Sequence, residues 1–274
     1  MTAPATRLHI DKKSPAYWTV TIDNPPINML DGPLIDAFAR LVDDLDADDQ
    51  VKVVVFDSAD ADYFMAHFDL ATAGEVDLTP RASGLSPFAD VSMRLEHAPF
   101  ATIGVLRGRA RGVGSEFLQS LDMTFASRER AVISQIEVGC GLLPGGGGSE
   151  RLPLLTGRQR ALEIILSADD FDADTAERYG WINRAIADAE LGPFVERLAR
   201  RIASFDRNAL AAAKKTINHR IQTARKDDLI ATEALFFSLL AGAPAGARVG
   251  QFMAAGFGQR GPFEHDLGRL LADL

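Results

Sequence analysis

Ala101-Thr-Ile-Gly-Val-Leu106, then Gly108-Arg-Ala-Arg-Gly-Val-Gly-Ser-Glu116, then Met123-Thr-Phe-Ala126 is the stretch on which the fold turns. The first run is short, largely apolar and partly β-branched, which reads as a strand. The glycine-bearing run reads as a turn, after which Val113, Phe117, Leu118 and Leu121 recur at helical spacing. Residues 123–126 return to strand character. Upstream, residues 17–23 alternate as a strand and break at Asn24-Pro25-Pro26. Asp31-Gly-Pro33 then opens a helix with Leu34, Phe38, Leu41, Val42 and Leu45 on one face. Residues 51–56 form a continuous apolar run, as a strand covered on both faces would. Downstream, Asp172 is a cap for a helix reaching Tyr179, Gly180 stops it, and residues 181–186 read as a further strand.

The expected fold is therefore α/β, built from repeated β and α units. From about Glu190 strands vanish and helical patterns follow one another over residues 194–203, 209–221, 228–240 and 247–257. This divides the chain into a core over 1–189 and a helical region over 190–274. The apolar residues Leu235, Phe236, Phe237, Leu239 and Leu240 suit either a neighbouring subunit or the chain's own core. Residues 72–87, rich in Gly, Ala, Ser, Thr and Pro, read as a mobile loop that shapes a pocket.

With 274 residues and 47% hydrophobic content the chain can bury a full core. Its formal charge of -9 argues against nucleic acid or an anionic membrane as a general partner. A single cysteine excludes an intrachain disulfide, no apolar run approaches the roughly 20 residues that span a bilayer, and residues 1–6 lack a leader pattern. A cytoplasmic setting is expected. Cys140 lies between two glycines with no cation beside it, which reads as structural.

Two glycine-bearing turns each precede a helix, where unpaired backbone N–H groups can receive developing negative charge. The first, residues 108–116, is neither a P-loop nor a G-x-G-x-x-G motif. The second, Leu143-Pro-Gly-Gly-Gly-Gly-Ser149, serves either a close approach or a flexible loop before a helix capped by Ser149. Glu116, in a first helical turn, fits a dipole-offsetting acid or a functional one. Glu137, after an apolar strand over 132–136, fits a surface acid or a presented catalytic group. His67 is a base, a polar contact or a satisfied histidine. No metal-ligand spacing joins it to His9, His97, His219 or His265, and no G-x-S-x-G elbow occurs.

Taken together, these motifs resemble the enoyl-CoA hydratase/isomerase, or crotonase, superfamily. Val-Thr-Ile-Asp-Asn-Pro-Pro-Ile-Asn-Met-Leu30 is similar to its first strand and loop, and Val53-Val-Val-Phe56 to its second strand. Phe64-Met-Ala-His-Phe-Asp-Leu70 stands where the family has F-x-A-G-x-D-L. Residues 108–116 resemble G-x-A-x-G-G-G-x-E, and residues 135–152 resemble P-E-x-x-x-G-x-x-P-G-x-G-G-x-x-R-L. Residues 213–218 and 257–263 are similar to its C-terminal helices. The resemblance implies a spiral of ββα turns with a C-terminal helical trimerisation region, and a homotrimer or dimer of trimers. It implies an oxyanion hole at the N–H groups of Phe68 and Val113, and Glu116 and Glu137 as a water-handling pair. Further substrate contacts are implied at Ala66, His67, Asp69, Leu70, Gly112, Gly145, Phe252, Arg260 and Phe263. The implied reaction is addition of water to an α,β-unsaturated acyl-CoA thioester or its reverse, with no cofactor beyond the coenzyme A of the substrate.

His67 and Phe68 replace the family's glycine and small residue, Val113 replaces the middle glycine of its triple, and Ala71 stands where a basic residue is common. These departures crowd the thioester end. They leave open a double-bond isomerase, a crotonase-fold enzyme using His67 on a carbonyl compound without coenzyme A, and a non-catalytic binding subunit.

Overall fold

The computed structural model describes residues 7–273. Residues 1–6, read above for a leader pattern, lie outside them. The chain winds so that successive turns add one strand to each of two sheets. The larger sheet takes β1 (Leu8–Ser14), β2 (Tyr17–Ile22), β3 (Val53–Ser58), β5 (Ala101–Leu106), β7 (Met123–Ser127) and β10 (Arg184–Ile186), in the order β1-β2-β3-β5-β7-β10. The smaller takes β4 (Tyr63–Met65), β6 (Arg109–Arg111), β8 (Val132–Ser134) and β9 (Phe171–Asp172), in the order β4-β6-β8-β9. Only β1 with β2 and β8 with β9 are antiparallel. Each turn closes with helix: α1 (Gly32–Ala47), α2 (Pro87–His97), α3 (Val113–Gln119), α4 (Gly148–Thr156) with α5 (Arg158–Ser167), and α6 (Ala173–Tyr179).

Strand β3 shows why its sequence is apolar without alternation. Val54 and Phe56 join the main core with Phe38 of α1 and Phe117 of α3. Val53 and Val55, on the opposite face, pack with Leu191, Val195 and Ala199 of α7 (Asp188–Ala203). Both faces are covered, so both sets of side chains are buried, each worth roughly 1.5–3 kcal/mol. Helix α7 starts six residues earlier than the expected 194, because Gly192 and Pro193 lie within it and obscured its pattern. The change near residue 190 is thus one of element type, since α7 still covers the sheet.

Helix α1 is capped by Asp31, whose carboxylate accepts the Leu34 N–H at 2.8 Å, and α6 by Asp172 in the same way from Thr175. Gly180 ends α6 in the left-handed region. Other expectations shift. Helix α4 begins after Gly147, and the Ser149 hydroxyl donates to the Pro144 carbonyl, so Ser149 does not cap it. In residues 181–186 only Arg184–Ile186 is strand, while Trp181 and Ile182 are anchors in the main core. Residues 72–87 contain one short 3-10 turn, Ala73–Glu75, and lead directly into α2, which the sequence reading did not separate from the loop.

Beyond α7 come α8 (Arg207–Ile221), α9 (Lys226–Leu240), α10 (Ala243–Ala255) and the short α11 (Pro262–His265) and α12 (Leu267–Leu270). The apolar residues of α9 divide. Phe236, Phe237 and Leu240 join a second core with Ile136, Leu142, Phe252 and Phe257, whereas Leu235 and Leu239 are exposed. Among the described residues no single helix is long and apolar enough to cross a membrane; α9 and α10 reach that composition only as a pair bent by 72°.

Candidate active site

A cavity of about 770 Å³, counting its open mouth, lies between the spiral and α9. Its wall is mostly apolar, and Glu116 and Glu137 both face it. Glu116 stands in the first turn of α3 but makes no capping box. Its Oε1 accepts the N–H groups of Gly146 and Gly148, both at 2.8 Å, across the glycine turn before α4. Burial is the main influence on this carboxyl and pushes it up to about 7, with the two N–H bonds acting the other way. Glu137 opens a 3-10 turn, Glu137–Cys140, just past β8. Its carboxyl is pushed well above the usual carboxylate range by burial and then by the charge of Glu116.

The two carboxyls therefore have unequal surroundings. Glu116 has two backbone donors on one oxygen, while Glu137 has only the Gln135 amide nitrogen, at 3.2 and 3.4 Å. Gln135 is held in turn by Gln119, which also reaches Ser115. Sequence reasoning did not single out Ser115, Gln119 or Gln135. Their polar side chains on buried positions were a signal, but three scattered residues became a chain only through folding.

The glycines now have specific reasons. A Cβ on Gly146 would lie 2.6 Å from Glu116 Oε2 and 2.9 Å from a Phe88 ring carbon. Gly112 has φ of 50°, and a Cβ there would lie 2.8 Å from Glu137 Oε1. The turns let backbone approach the acids, which rules in close approach over mere flexibility. Gly146→Ala is expected to keep the fold but displace Glu116, lowering any activity that uses it by about 100-fold; steady-state kinetics alongside a thermal midpoint would check this.

The N–H groups of Phe68 and Val113 donate to no acceptor among the described residues, and both residues line the cavity. Val113 is the first residue of α3, where an N–H has no partner inside the helix. Phe68 is framed by two hydrogen bonds made by Leu30, whose N–H donates to the His67 carbonyl at 2.9 Å and whose carbonyl accepts the Asp69 N–H at 3.0 Å. The side chain that replaces the family's small residue packs edge-on to Phe236.

His67, Leu70, Gly112 and Gly145 also line the cavity. The structure does not bring the other expected contacts there. Ala66 is buried beside Ile27 and Tyr63, and the Asp69 carboxylate accepts the N–H of Ala71. Phe252 and Phe263 pack in the second core, 6.3 Å apart. Arg260 is exposed and paired with Asp60 and Asp62. Conversely, Ser86 and Glu233 reach the cavity from α2's cap and α9, hydrogen-bonded to each other, and no sequence motif marked them. Cys140 faces the cavity too, but burial pushes its thiol up to about 12. Among the described residues no group of His, Cys, Asp or Glu is arranged to hold a metal ion.

His67 is buried, with Nδ1 2.8 Å from the Phe68 carbonyl, Nε2 3.2 Å from Glu264 Oε2, and its ring stacked on Phe257 at 4.0 Å. A carbonyl oxygen only accepts, so Nδ1 carries a proton. Nε2 faces Glu264 Oε2, which also accepts the Gly258 N–H. Both ring nitrogens are thus engaged by protein groups, and neither is left free for a substrate proton.

A buried, unequal pair of carboxyls thus faces the same cavity as two N–H groups that have no acceptor among the described residues. The family model for enoyl-CoA hydratase/isomerase matches residues 13–244, and the chain belongs to that family. It is 31% identical over 205 residues to the short-chain-enoyl-CoA hydratase of Clostridium acetobutylicum, covering 74% of this chain and 78% of that one. It is 37% identical over 121 residues to the crotonyl-CoA hydratase of Syntrophomonas wolfei, covering 44% and 46% respectively. The crystal structure of a putative enoyl-CoA hydratase from Streptomyces avermitilis superposes with a TM-score of 0.92 at 40% identity, over 100% of this chain and 99% of that one. The fold is accordingly the crotonase spiral anticipated from the motifs.

Proposed function

We propose that the chain adds water to an α,β-unsaturated acyl-CoA thioester, with Glu116 as general base, Glu137 as general acid, and the N–H groups of Phe68 and Val113 as the oxyanion hole. The observation that carries this is the pair of buried carboxyls in unequal surroundings on one cavity. The first proton to leave the pair leaves Glu116, whose anion has two backbone donors, and that charge then holds the other proton on Glu137.

The reaction follows from that assignment. Water gives a proton to Glu116 as its oxygen bonds the β-carbon. The π electrons move toward the thioester oxygen, which the two N–H groups stabilise as an enolate. Glu137 then gives its proton to the α-carbon, and the net change is one water added. Proton exchange between the two acids through solvent restores the starting state. Double-bond migration needs only one such group, so the retained pair favours hydration. His67, whose two ring nitrogens are held by the Phe68 carbonyl and Glu264, gives no support to a reading in which it is the base.

The coenzyme A of the substrate is the only group this scheme requires. We further read the region 190–274 as an oligomerisation region of a homotrimer or dimer of trimers working in the cytoplasm, an arrangement the exposed Leu235 and Leu239 suit. The reaction itself is tested by following the enoyl chromophore of crotonyl-CoA with pH. Because Glu116 must be ionised and Glu137 protonated, kcat/KM is expected to fall as pH drops below about 7 and to fall again at alkaline pH. A rate that rises steadily into acid would contradict the assignment.

A further inference from the structure

Four polar or charged side chains, Arg111, Asp170, Glu264 and His67, lie behind the proposed oxyanion hole, and the scheme above uses none of them. Arg111, fully buried at the end of β6, donates to both Asp170 oxygens at 2.8 and 2.6 Å and to the backbone carbonyls of Glu264 and His265 at 2.8 and 3.0 Å. Glu264, on α11, has no solvent exposure, and its Oε2 meets both His67 Nε2 and the Gly258 N–H. Its other oxygen has no hydrogen-bond partner among the described residues, its nearest cation being Arg111 at 3.8 Å.

The sequence neighbours make this cluster functional. His67 directly precedes Phe68, and Arg111 precedes Gly112 and Val113, so one residue, Glu264, meets both segments that lead into the proposed N–H donors, His67 through its carboxylate and Arg111 through its backbone carbonyl. These two segments are 43 to 46 residues apart in the chain, and no hydrogen bond directly joins Phe68 to Val113. The His67 carbonyl accepts from Leu30, which polarises the peptide that carries the Phe68 N–H, and the His67 ring holds the carbonyl of the next peptide, Phe68–Asp69. Burying charged groups such as Arg111 and Glu264 is costly for stability compared with apolar packing, which makes a role in specifying geometry the more economical account.

We propose that Glu264 is a positioning residue for the oxyanion hole: its carboxylate holds His67, and through it the adjoining Phe68 N–H, relative to Val113, while its backbone carbonyl ties the same C-terminal segment to Arg111, two residues before Val113. This rests on the thioester reading above. A misplacement of about 1 Å in such a donor costs on the order of 100-fold in rate, and it acts on the enolate more than on the bound substrate.

The test compares wild type, Glu264→Ala, Glu264→Gln and His67→Asn. Readouts are kcat and KM for crotonyl-CoA, the thermal midpoint, and the absorption shift of bound 4-(dimethylamino)cinnamoyl-CoA, whose band moves to the red as its carbonyl is polarised. Glu264→Ala is expected to lower kcat about 100-fold with KM changed less than about threefold, and to lose most of the red shift while still binding. Glu264→Gln, which keeps an acceptor for His67, is expected to recover most of both. If Glu264→Ala does not fold, His67→Asn, too short to reach Glu264, carries the same expectation. A folded variant with full red shift and unchanged kcat, whatever its thermal midpoint, overturns the positioning role alone. Failure of wild type to bind either thioester overturns the thioester reading and this proposal with it.

Discussion

Glu137→Gln is expected to lower the hydration of crotonyl-CoA by about a thousandfold while leaving KM within a few-fold of wild type. The amide fills the same space beside Gln135 but has no proton acidic enough to give to the α-carbon. Substrate binding relies on the apolar cavity wall and the N–H groups of Phe68 and Val113, which the substitution leaves alone. Glu116→Gln is expected to cost a similar factor, because an amide cannot take a proton from water. The double substitution is expected to be little worse than either single one, since the two acids act in one cycle. Additive losses in stopped-flow kinetics would mean that the two groups serve separate steps. A Glu116→Gln variant that still moved the double bond would instead favour isomerisation.

The second large effect runs the other way, on stability. Glu116 titrates at about 7 in the folded chain against an ordinary 4.5. The folded state then binds more protons than the unfolded state between those values. Stability therefore falls as pH rises through that window and stays lower above it, by on the order of 3 kcal/mol. Glu116→Gln removes this ionisation, and its amide oxygen can still accept from Gly146 and Gly148. Its NH2 group needs a partner in a buried place, which offsets part of the gain. Unfolding midpoints at fixed protein concentration are expected to favour Glu116→Gln by roughly 1–2 kcal/mol at pH 8, with the advantage gone near pH 5. A variant less stable than wild type at pH 8 would show that the carboxylate is well solvated.

Longer elements were legible because their signals are local. The helical spacing from Leu34 to Leu45 and the apolar run of β3 each report the packing of a single segment. In the smaller sheet β8 was legible as the apolar run from residue 132, but β6 was hidden for a physical reason. Arg109–Arg111 carries two cations in three residues, which locally resembles a solvated turn, and Arg111 is buried only because Asp170 and Glu264 arrive from 59 and 153 residues away. Helix α2 was lost behind Pro87, which ended the loop reading although it is also a favoured first helical residue.

The site was partly legible for the same reason. Glu116 and Glu137 are 21 positions apart and each had an ordinary explanation; only the motifs around them singled them out. What the motifs implied for Arg260, Phe252 and Phe263 was a ligand contact, whereas here the arginine is tied to Asp60 and Asp62 and the two rings fill a core. His67, a departure from the family pattern, lines the cavity but has both ring nitrogens engaged, by the Phe68 carbonyl and by Glu264.

The central claim, that Glu116 and Glu137 add water to an enoyl thioester, is tested most directly by mass spectrometry of crotonyl-CoA incubated with the protein in 18O-labelled water. A 3-hydroxyacyl-CoA product carrying one labelled oxygen, formed by wild type and by neither glutamine variant, is the expected result. Unchanged mass with a moved double bond, or labelled product formed equally by Glu116→Gln and Glu137→Gln, would contradict it.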